Sequence, residues 1–404
     1  MECACPFPKL GEGRGKAADR CLAGKVNGNR KREKEPPQMP LTFDELIELL
    51  DKSISVAGDS KSKKAFLADI FQPMTYGEDT ELDPDVVLDL PQTKTILAKL
   101  ITLTTNETKA SYGARPELRA ERLTALKQVQ SWVAGGSTTS PVFSNVNRFH
   151  VAVQVALRVR RPSSMNQGPQ GFCGPASILV PLVRACPLDY VGFVGDLFDK
   201  GIARFGETDV DVQQANPFRH GWTAACGPAA DFIALGSLRC NIEAFVAAPL
   251  GGGQAFDFLS KESHATTPGQ IATLLTQAGY RTVQNQALTD YTSPRDGTRL
   301  STAGTNLTSC SSLFRRAPDC VVIMLVHGTL ATNAKRSAVI QGDAHVPKLS
   351  DLHWILVRRI EADATNLPTG RVKMKLYTWK WSGLGDFAMK DFLPRYYGYV
   401  SAEL

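Results

Sequence analysis

Gln167 and Cys173 lie six positions apart in the segment NQGPQGFCGPAS, residues 166–177, and both side chains suit attack on a carbonyl group. A cysteine attacks as its thiolate, and the unpaired N–H groups at a helix N-terminus stabilise that anion. The loop rich in glycine and proline predicts that a helix begins at Cys173. The Gln167 side chain is predicted to donate an N–H to a developing oxyanion. The segment therefore predicts a nucleophile and an oxyanion donor.

This segment resembles the active-site region of papain-like cysteine proteases. The shared pattern is Asn-Gln-Gly, two residues, Gly, one residue and Cys, and it falls on Asn166, Gln167, Gly168, Gly171 and Cys173. The aromatic residue that follows the cysteine in papain is replaced here by Gly174-Pro175. Cys-Gly-Pro-Ala-Ser is more similar to the bacterial branch, which includes peptidase domains of peptide exporters and secreted effector toxins. The resemblance, over about a dozen residues, implies a papain-like α+β domain with a nucleophile helix followed by an antiparallel sheet.

The resemblance also implies a histidine base at the start of a strand that follows the nucleophile in chain order. Among the six histidines, His353 fits best, because it begins an apolar segment that is predicted to be a strand over residues 353–360. His327, at the end of the preceding predicted strand, is the rival. An imidazole within hydrogen-bond reach of the thiol takes the thiol proton during attack.

A third residue in the family, Asn or Asp on the next strand, fixes the tautomer of the imidazole. The corresponding strand here reads LYTWKW, residues 376–381, and departs from that pattern. Thr378 is the predicted polar acceptor, with Trp379 shielding it, and Asp386 is the nearest carboxylate downstream. A Cys–His dyad without a third residue is the other option. The predicted catalytic residues are Cys173, His353, Gln167 and Thr378.

The elements that position these residues follow from periodicity and capping. Residues 1–40 are rich in charge, glycine and proline, and predict a flexible basic arm. A helical region over residues 41–135 begins with a capping box formed by Thr42 and Glu45. Further helices in that region are predicted at 64–71, 93–104 and 116–133.

Residues 136–404 are predicted to form the papain-like domain. A short strand is expected at 150–157, where apolar residues alternate, and Pro181 is expected to shorten or bend the helix that begins at Cys173. Residues 188–258 are predicted to be a mostly helical insertion. A capping box of Thr267 and Gln270 predicts another helix. A strand or loop is predicted at 281–283, and antiparallel strands at 320–326, 353–360 and 372–381.

Composition limits the biological setting. The 404 residues, 43% of them hydrophobic, suffice for a large core. Much of the basic excess behind the net charge of +6 lies before residue 40, which gives little support to nucleic acid binding. Nine scattered cysteines favour a reducing environment. The spacing of Cys3, Cys5 and Cys21 matches no zinc pattern, so no metal or cofactor is expected.

The N-terminus lacks the apolar core of a secretory signal, and the longest apolar runs, such as residues 321–326, are too short to span a bilayer. A soluble protein without a cleavable signal peptide and without a membrane partner is therefore expected.

These residues and the resemblance together predict a cysteine peptidase. The likeness to effector toxins implies a bacterial protein that is secreted, cuts a protein substrate in the cytoplasm of a recipient cell, and has a cognate immunity protein; interbacterial competition is one such setting. A plain cytoplasmic peptidase fits the same residues. The alternatives are a glutamine deamidase or transamidase, a peptidoglycan amidase, and a non-enzymatic binding protein, since free cysteine is among the most buried residue types.

Overall fold

Helices dominate the first part of the chain and strands the last part. The computed structural model describes residues 42–56, 86–107, 117–168, 171–212, 222–223, 226–245, 266–288, 297–317, 320–334, 352–362, 369–378 and 381–403. Within these residues the protein is α+β, with helices and two antiparallel sheets. The predicted basic arm at 1–40 and the predicted helix at 64–71 lie outside the described residues.

The described part of the chain before residue 135 contains the helices α1 (Phe43–Val56), α2 (Leu90–Asn106) and α3 (Glu117–Ala134). The predicted capping box is confirmed, because the Thr42 N–H donates to Glu45 Oε2 at 2.8 Å and the Glu45 N–H donates to Thr42 Oγ1 at 3.3 Å. Asp89 and Gln92 form a second capping box ahead of α2. The reciprocal bonds satisfy backbone donors that each helix start would otherwise leave unpaired.

The strand predicted at 150–157 is wrong, because this segment belongs to helix α4 (Arg148–Arg160). Asn147 caps the helix by accepting the Phe149 N–H at 2.7 Å. Every residue from 150 to 159 is buried. A helix that is buried on all sides needs no polar face, so its sequence shows no helical periodicity and is easily taken for a strand.

Helix α5 (Cys173–Ala185) begins at the predicted residue and continues through Pro181. Helix α6 (Pro187–Lys200) and the hairpin of β1 (Ile202–Phe205) and β2 (Thr208–Asp211) follow it. Then come α7 (Ala229–Phe245) and α8 (Pro268–Gln277), which begins with the predicted capping box. The segment predicted as a mostly helical insertion therefore also contains a β-hairpin.

The larger sheet has six strands in the order β3, β8, β4, β5, β6, β7, and all neighbours are antiparallel. The strands are β3 (Arg281–Ala287), β4 (Val321–His327), β5 (Leu352–Ala362), β6 (Arg371–Thr378), β7 (Trp381–Ala388) and β8 (Tyr396–Glu403). The strands expected near 320–326 and 353–360 are confirmed. The single strand expected at 372–381 is wrong, since β6 ends at Thr378 and Trp381 already begins β7.

Both faces of this sheet are covered. Along β5, Trp354 and Leu356 belong to one buried cluster, whereas Ile355 and Val357 belong to another. The first cluster contains residues of α5 and the other helices up to α8, and the second contains residues of α9 (Gly297–Arg316), α10 (Gly328–Ala334) and α11 (Met389–Phe392). The alternation follows from the two-residue period of a strand.

The N-terminal helices share the core of the cysteine region. Leu46 of α1, Leu97 of α2 and Cys173 of α5 are all in the first cluster. Residues 39–404 accordingly group as one compact unit. No helix among the described residues combines the length and apolar character required to cross a membrane.

Candidate active site

Cys173 is the first residue of α5 and lies at the edge of the first core cluster, with 9% of its surface exposed. Phe172 precedes the helix and provides no side-chain cap. Pro175 has no N–H and the Ala176 N–H donates to the Phe172 carbonyl oxygen at 2.9 Å, so the N–H groups of Cys173 and Gly174 are the ones that act on the thiol at this end of the helix. The predicted position of the thiol at a helix N-terminus is confirmed.

Burial raises the pKa of the Cys173 thiol above its ordinary value of 9.0. The backbone N–H groups of Trp354, Gly174 and Cys173 itself lower the pKa, as does the positive charge of Arg239, but these effects are smaller than that of burial. The expected effect of the helix start on the thiol pKa is thus present, but the effect of burial outweighs it. Desolvation disfavours the charged form of a buried acid, and here it dominates.

His353 and Thr378 are joined by a hydrogen bond, since His353 Nε2 lies 2.6 Å from Thr378 Oγ1. His353 is the second residue of β5 and Thr378 is the last residue of β6, the neighbouring strand. Their exposed fractions are 4% and 1%. The structure thus brings together the predicted base and the predicted third residue.

The start of β5 lies beside the start of α5. The backbone N–H of Trp354, the residue after His353, is one of the groups that act on the Cys173 thiol. The Trp354 indole N–H donates to the carbonyl oxygen of Thr266 at 2.7 Å, and Thr266 in turn packs on Gly174. A Cβ atom on Gly174 would lie 2.5 Å from Thr266 Oγ1, so only glycine allows this approach.

The alternation of β5 bears on how thiol and imidazole approach each other. Trp354 and Leu356 face the cluster that contains Cys173, and His353 is in phase with Ile355 and Val357 on the other face. The two side chains therefore belong to opposite faces of the sheet, and a contact between the imidazole and the thiol has to pass around the start of β5.

Gln167 is 5% exposed and lies in a loop that is fixed from several directions. Asp231 Oδ2 accepts the Asn166 N–H at 2.7 Å, and the Tyr377 hydroxyl donates to the Met165 carbonyl oxygen at 2.6 Å. Just after Gln167, Gly168 adopts φ +64°. A glutamine in this loop has a defined position from which to serve as an oxyanion donor.

Asp231 is itself held by Arg158 in a fully buried ion pair. The Arg158 Nη2 lies 2.6 Å from Asp231 Oδ2, and both side chains have 0% exposure. Arg158 Nη1 also donates to Ser164 Oγ at 3.2 Å. Because a buried charge is stable only when it is paired and hydrogen-bonded, this arrangement fixes α4, α7 and the loop relative to one another.

Gly227, just before α7, adds a close backbone contact to the same loop. A Cβ atom at Gly227 would lie 3.2 Å from the Gly168 Cα, and Gly227 has φ +86°. The Trp222 indole N–H donates to the Gly227 carbonyl oxygen at 2.8 Å. The glycine pair therefore allows close backbone contact between the segment before α7 and the loop that carries the predicted oxyanion donor.

Two rival residues have other partners. Asp386 forms a half-exposed ion pair with Arg371, with 2.8 Å between Arg371 Nε and Asp386 Oδ1. His327 ends β4, pairs in register with Leu352, and accepts the Thr329 N–H through Nδ1 at 3.2 Å. By strand alternation, the His327 side chain is on the same face of the sheet as Leu325 and Trp354. A substitution of His327 is therefore the comparison that the test of His353 needs.

Comparison of the chain with family models, curated proteins and solved structures finds no match. The resemblance of residues 166–177 to papain-like proteases is therefore a local one, and the chemistry has to follow from the contacts of Cys173, His353, Thr378 and Gln167.

A surface pocket of about 560 Å³ lies away from these residues. It is lined by residues 135–137 and 139–141 together with Arg148 and Asp199. Arg148 begins α4, whereas the loop with Gln167 follows the end of that helix; its 13 residues span about 20 Å. In the described part of the chain, no group of three or more His, Cys, Asp or Glu side chains is arranged to bind a metal ion.

Three residues that support the site were not predicted from sequence: Arg158, Asp231 and Tyr377. Arg158 and Asp231 stand out in the sequence only as charges within apolar segments, which is a sign of a buried pair. Tyr377 directly precedes the predicted orienter Thr378, and its hydroxyl contacts a residue 212 positions away. No local pattern in the sequence predicts such a contact.

Proposed function

We propose that this protein is a cysteine peptidase with a papain-like catalytic domain, in which Cys173 is the nucleophile and His353 the base. The observation that carries the proposal is that the start of α5, which bears the predicted nucleophile, lies beside the start of β5, which bears the predicted base. The thiol at the start of α5 lies next to the Trp354 N–H, and the preceding residue, His353, is hydrogen-bonded to Thr378. A nucleophile, a base and a group that orients the base are the components of such a site.

The proposed reaction requires a particular division of roles between the two imidazole nitrogens. With the proton on Nε2, that N–H donates to Thr378 Oγ1, and Nδ1 is the basic nitrogen that takes the thiol proton. In papain-like proteases a third residue on the neighbouring strand orients the imidazole in the same way. Threonine offers a neutral oxygen instead of an amide or carboxylate, so it orients the imidazole without adding a negative charge.

The reaction proceeds in two stages. As Nδ1 removes the thiol proton, the sulfur bonds to the carbonyl carbon. The oxyanion that forms accepts hydrogen bonds from the N–H groups of the Gln167 side chain and the Cys173 backbone. The imidazolium then protonates the leaving amine as the C–N bond breaks, which leaves a thioester. Water, deprotonated by the same imidazole, attacks the thioester carbon and releases the carboxylate and the thiol.

Burial of Cys173 fits general-base attack from a neutral thiol. Because burial raises the thiol pKa, the protonated thiol is favoured in the resting protein, and it reacts more slowly with unspecific electrophiles than a thiolate would. Proton transfer to His353 accompanies attack and so occurs only once a carbonyl group is in place.

The biological role that we propose follows from the resemblance to effector toxins. The protein would be secreted by a bacterium, cleave a protein substrate in a recipient cell, and be neutralised in the producer by an immunity protein. Peptidase action and this role are separate proposals, since an intracellular peptidase would use the same residues.

The test is expression of the wild-type chain, Cys173→Ala, His353→Ala and His327→Ala in a bacterial cytoplasm, with growth and new protein termini measured. We expect growth arrest and new termini with wild type and His327→Ala, and neither with the other two variants. Arrest without new termini, accompanied by a mass increase of about one unit in an intact target, would indicate glutamine deamidation. Cleavage that survives Cys173→Ala would overturn the assignment, and loss only in His327→Ala would transfer the base to His327.

A further inference from the structure

Tyr377 and Thr378 are consecutive residues at the end of β6, and each contacts a different part of the candidate site. Thr378 Oγ1 is bonded to the His353 imidazole, and the Tyr377 hydroxyl donates to the Met165 carbonyl oxygen at 2.6 Å. Successive residues of a strand face opposite sides of the sheet. One strand end therefore contacts both the base and the loop that carries Gln167.

Met165 lies two residues before Gln167, so the bond from Tyr377 acts on the backbone that leads into the predicted oxyanion donor. Tyr377 is 3% exposed and Met165 is fully buried, with 0% exposure. Water cannot readily replace a hydroxyl at this depth. Loss of the hydroxyl would remove a partner of a buried carbonyl group and let the loop shift.

The helices hold the same loop from the other side. Asp231 on α7 accepts the Asn166 N–H, and Arg158 on α4 donates to Ser164. The sheet reaches the loop through Tyr377, whereas the helices reach it through a buried ion pair. Without the bond from Tyr377, the loop would stay attached to the helices but lose this hydrogen bond to the strand that orients His353.

We propose that Tyr377 is a positioning residue that sets the place of Gln167 relative to His353. The inference rests on the proposed peptidase function and extends it to a residue other than the proposed nucleophile, base and oxyanion donor. Its effect falls on the oxyanion, because a donor displaced by a fraction of an ångström stabilises the transition state less while substrate binding is retained.

The test compares Tyr377→Phe with Tyr280→Phe in the full-length chain. Tyr280 is also buried and directly precedes β3, and among the described residues its hydroxyl has no hydrogen-bond partner, so its variant controls for removal of a buried tyrosine hydroxyl without loss of a hydrogen bond. The probe is a fluorogenic peptide that spans the cut site found with the wild-type protein. A second readout is the rate at which iodoacetamide alkylates Cys173, which depends on the thiol and not on the oxyanion donor.

For Tyr377→Phe we expect kcat to fall about 10- to 100-fold, with KM and the alkylation rate within about twofold of wild type. Tyr280→Phe should retain wild-type kcat. An unchanged kcat in Tyr377→Phe overturns the inference and leaves the peptidase proposal intact. A parallel loss of kcat and alkylation also overturns it, because that pattern shows general disruption of the site. A wild-type chain that cuts no protein overturns the peptidase proposal and this inference together.

If Tyr377→Phe does not fold, Asn166→Ala takes its place. Asn166 Oδ1 accepts the Gly168 N–H at 3.0 Å, which fixes the loop on the other side of Gln167. A kcat loss with unchanged alkylation then supports positioning of Gln167 by this loop, and wild-type kcat contradicts it.

Discussion

His353 Nε2 lies 2.6 Å from Thr378 Oγ1, and both side chains are almost fully buried. The bond joins the start of β5 to the end of β6, which lie side by side because the two strands are antiparallel. A hydroxyl group both donates and accepts, so it satisfies either tautomer of the ring. Its lack of charge means that the imidazolium formed during the reaction receives less stabilisation than an aspartate would give.

Replacement of Thr378 by Val should lower kcat, because valine keeps the shape of threonine but removes the hydroxyl that orients His353. We expect a decrease of about 10- to 100-fold, within the range usually supplied by acid–base groups. Thr378→Ser retains the hydroxyl and is the matched control. Steady-state kinetics on the cleavage-site peptide measure both variants.

The two Thr378 variants distinguish orientation from packing. If Thr378→Val and Thr378→Ser lose kcat equally, the methyl group and not the hydroxyl matters, and the third-residue role is wrong. If neither loses activity, His353 works without this partner.

The pH dependence of Cys173 alkylation tests the raised pKa of its thiol. Because burial raises the pKa of the thiol above its ordinary value of 9.0, the alkylation rate in the resting protein should still increase with pH above pH 9. A rate that levels off below pH 8 would instead show a thiolate–imidazolium pair before substrate binds. Rates of iodoacetamide labelling, located by mass spectrometry, provide the measurement.

The same pKa shift predicts how stability changes with pH. The folded chain keeps a proton on Cys173 that the unfolded chain loses near pH 9. The contribution of the neutral thiol to the free energy of unfolding is therefore complete below pH 9 and decreases as the pH rises further. Urea unfolding of wild type and Cys173→Ala at pH 7.5 and pH 10 isolates it, since buried tyrosines such as Tyr399, with a pKa raised to about 12, remain in both proteins. Equal pH slopes for the two proteins would contradict the prediction.

Gly174→Ala should destabilise the protein and disturb the thiol. The new Cβ atom would lie 2.5 to 2.9 Å from three Thr266 side-chain atoms, and overpacking of this kind costs about 1–3 kcal/mol. Gly192→Ala is the matched control on α6, where a Cβ atom meets nothing within 4 Å. It should stabilise the helix by about 0.5–1 kcal/mol.

A double variant checks the cause of the Gly174 effect. Gly174→Ala combined with Thr266→Gly removes the three clashing atoms, so thermal or urea unfolding should show a smaller combined loss than the sum of the single changes. Strict additivity would mean that Thr266 is not the obstacle.

Asp231→Asn should be strongly destabilising, because it leaves the fully buried Arg158 charge without its carboxylate. Loss of one partner of a buried pair costs about 3–5 kcal/mol. Asp386→Asn breaks the half-exposed pair with Arg371 and should cost at most about 1 kcal/mol. Urea unfolding measures both, and cleavage by Asp386→Asn at the wild-type rate would exclude Asp386 as the orienter.

Signals within a few residues of one another predicted much of the fold. The capping boxes at Thr42 and Thr267 and the helix start at Cys173 are confirmed, because each depends on local hydrogen bonding. Segment 150–157 was predicted incorrectly because its burial removes the polar face that distinguishes a helix. Helix α9 was not predicted, since its sequence is dominated by Ser, Thr and Gly.

The candidate site likewise contains one residue role that the sequence predicted and several contacts that it did not. Thr378 was predicted from its place on the strand after His353, and the structure shows the bond. The contacts that hold the loop join residues far apart in sequence, 73 positions for Arg158 and Asp231 and 212 for Met165 and Tyr377. The sign of the Cys173 pKa shift also depends on burial, which only the assembled core determines.

The position of β8 has a consequence for the order of assembly. This strand follows all the other described strands in the chain, yet it lies between β3 and β4 and pairs with both. Strands β4 to β7 pair with their neighbours in chain order, but the link to β3 must wait for residues 396–403. Until then β4 exposes an unpaired edge with buried-type side chains on both faces, which invites intermolecular pairing. Aggregation during synthesis, and slow closure by a long-range pairing, are thus the expected hazards of this topology.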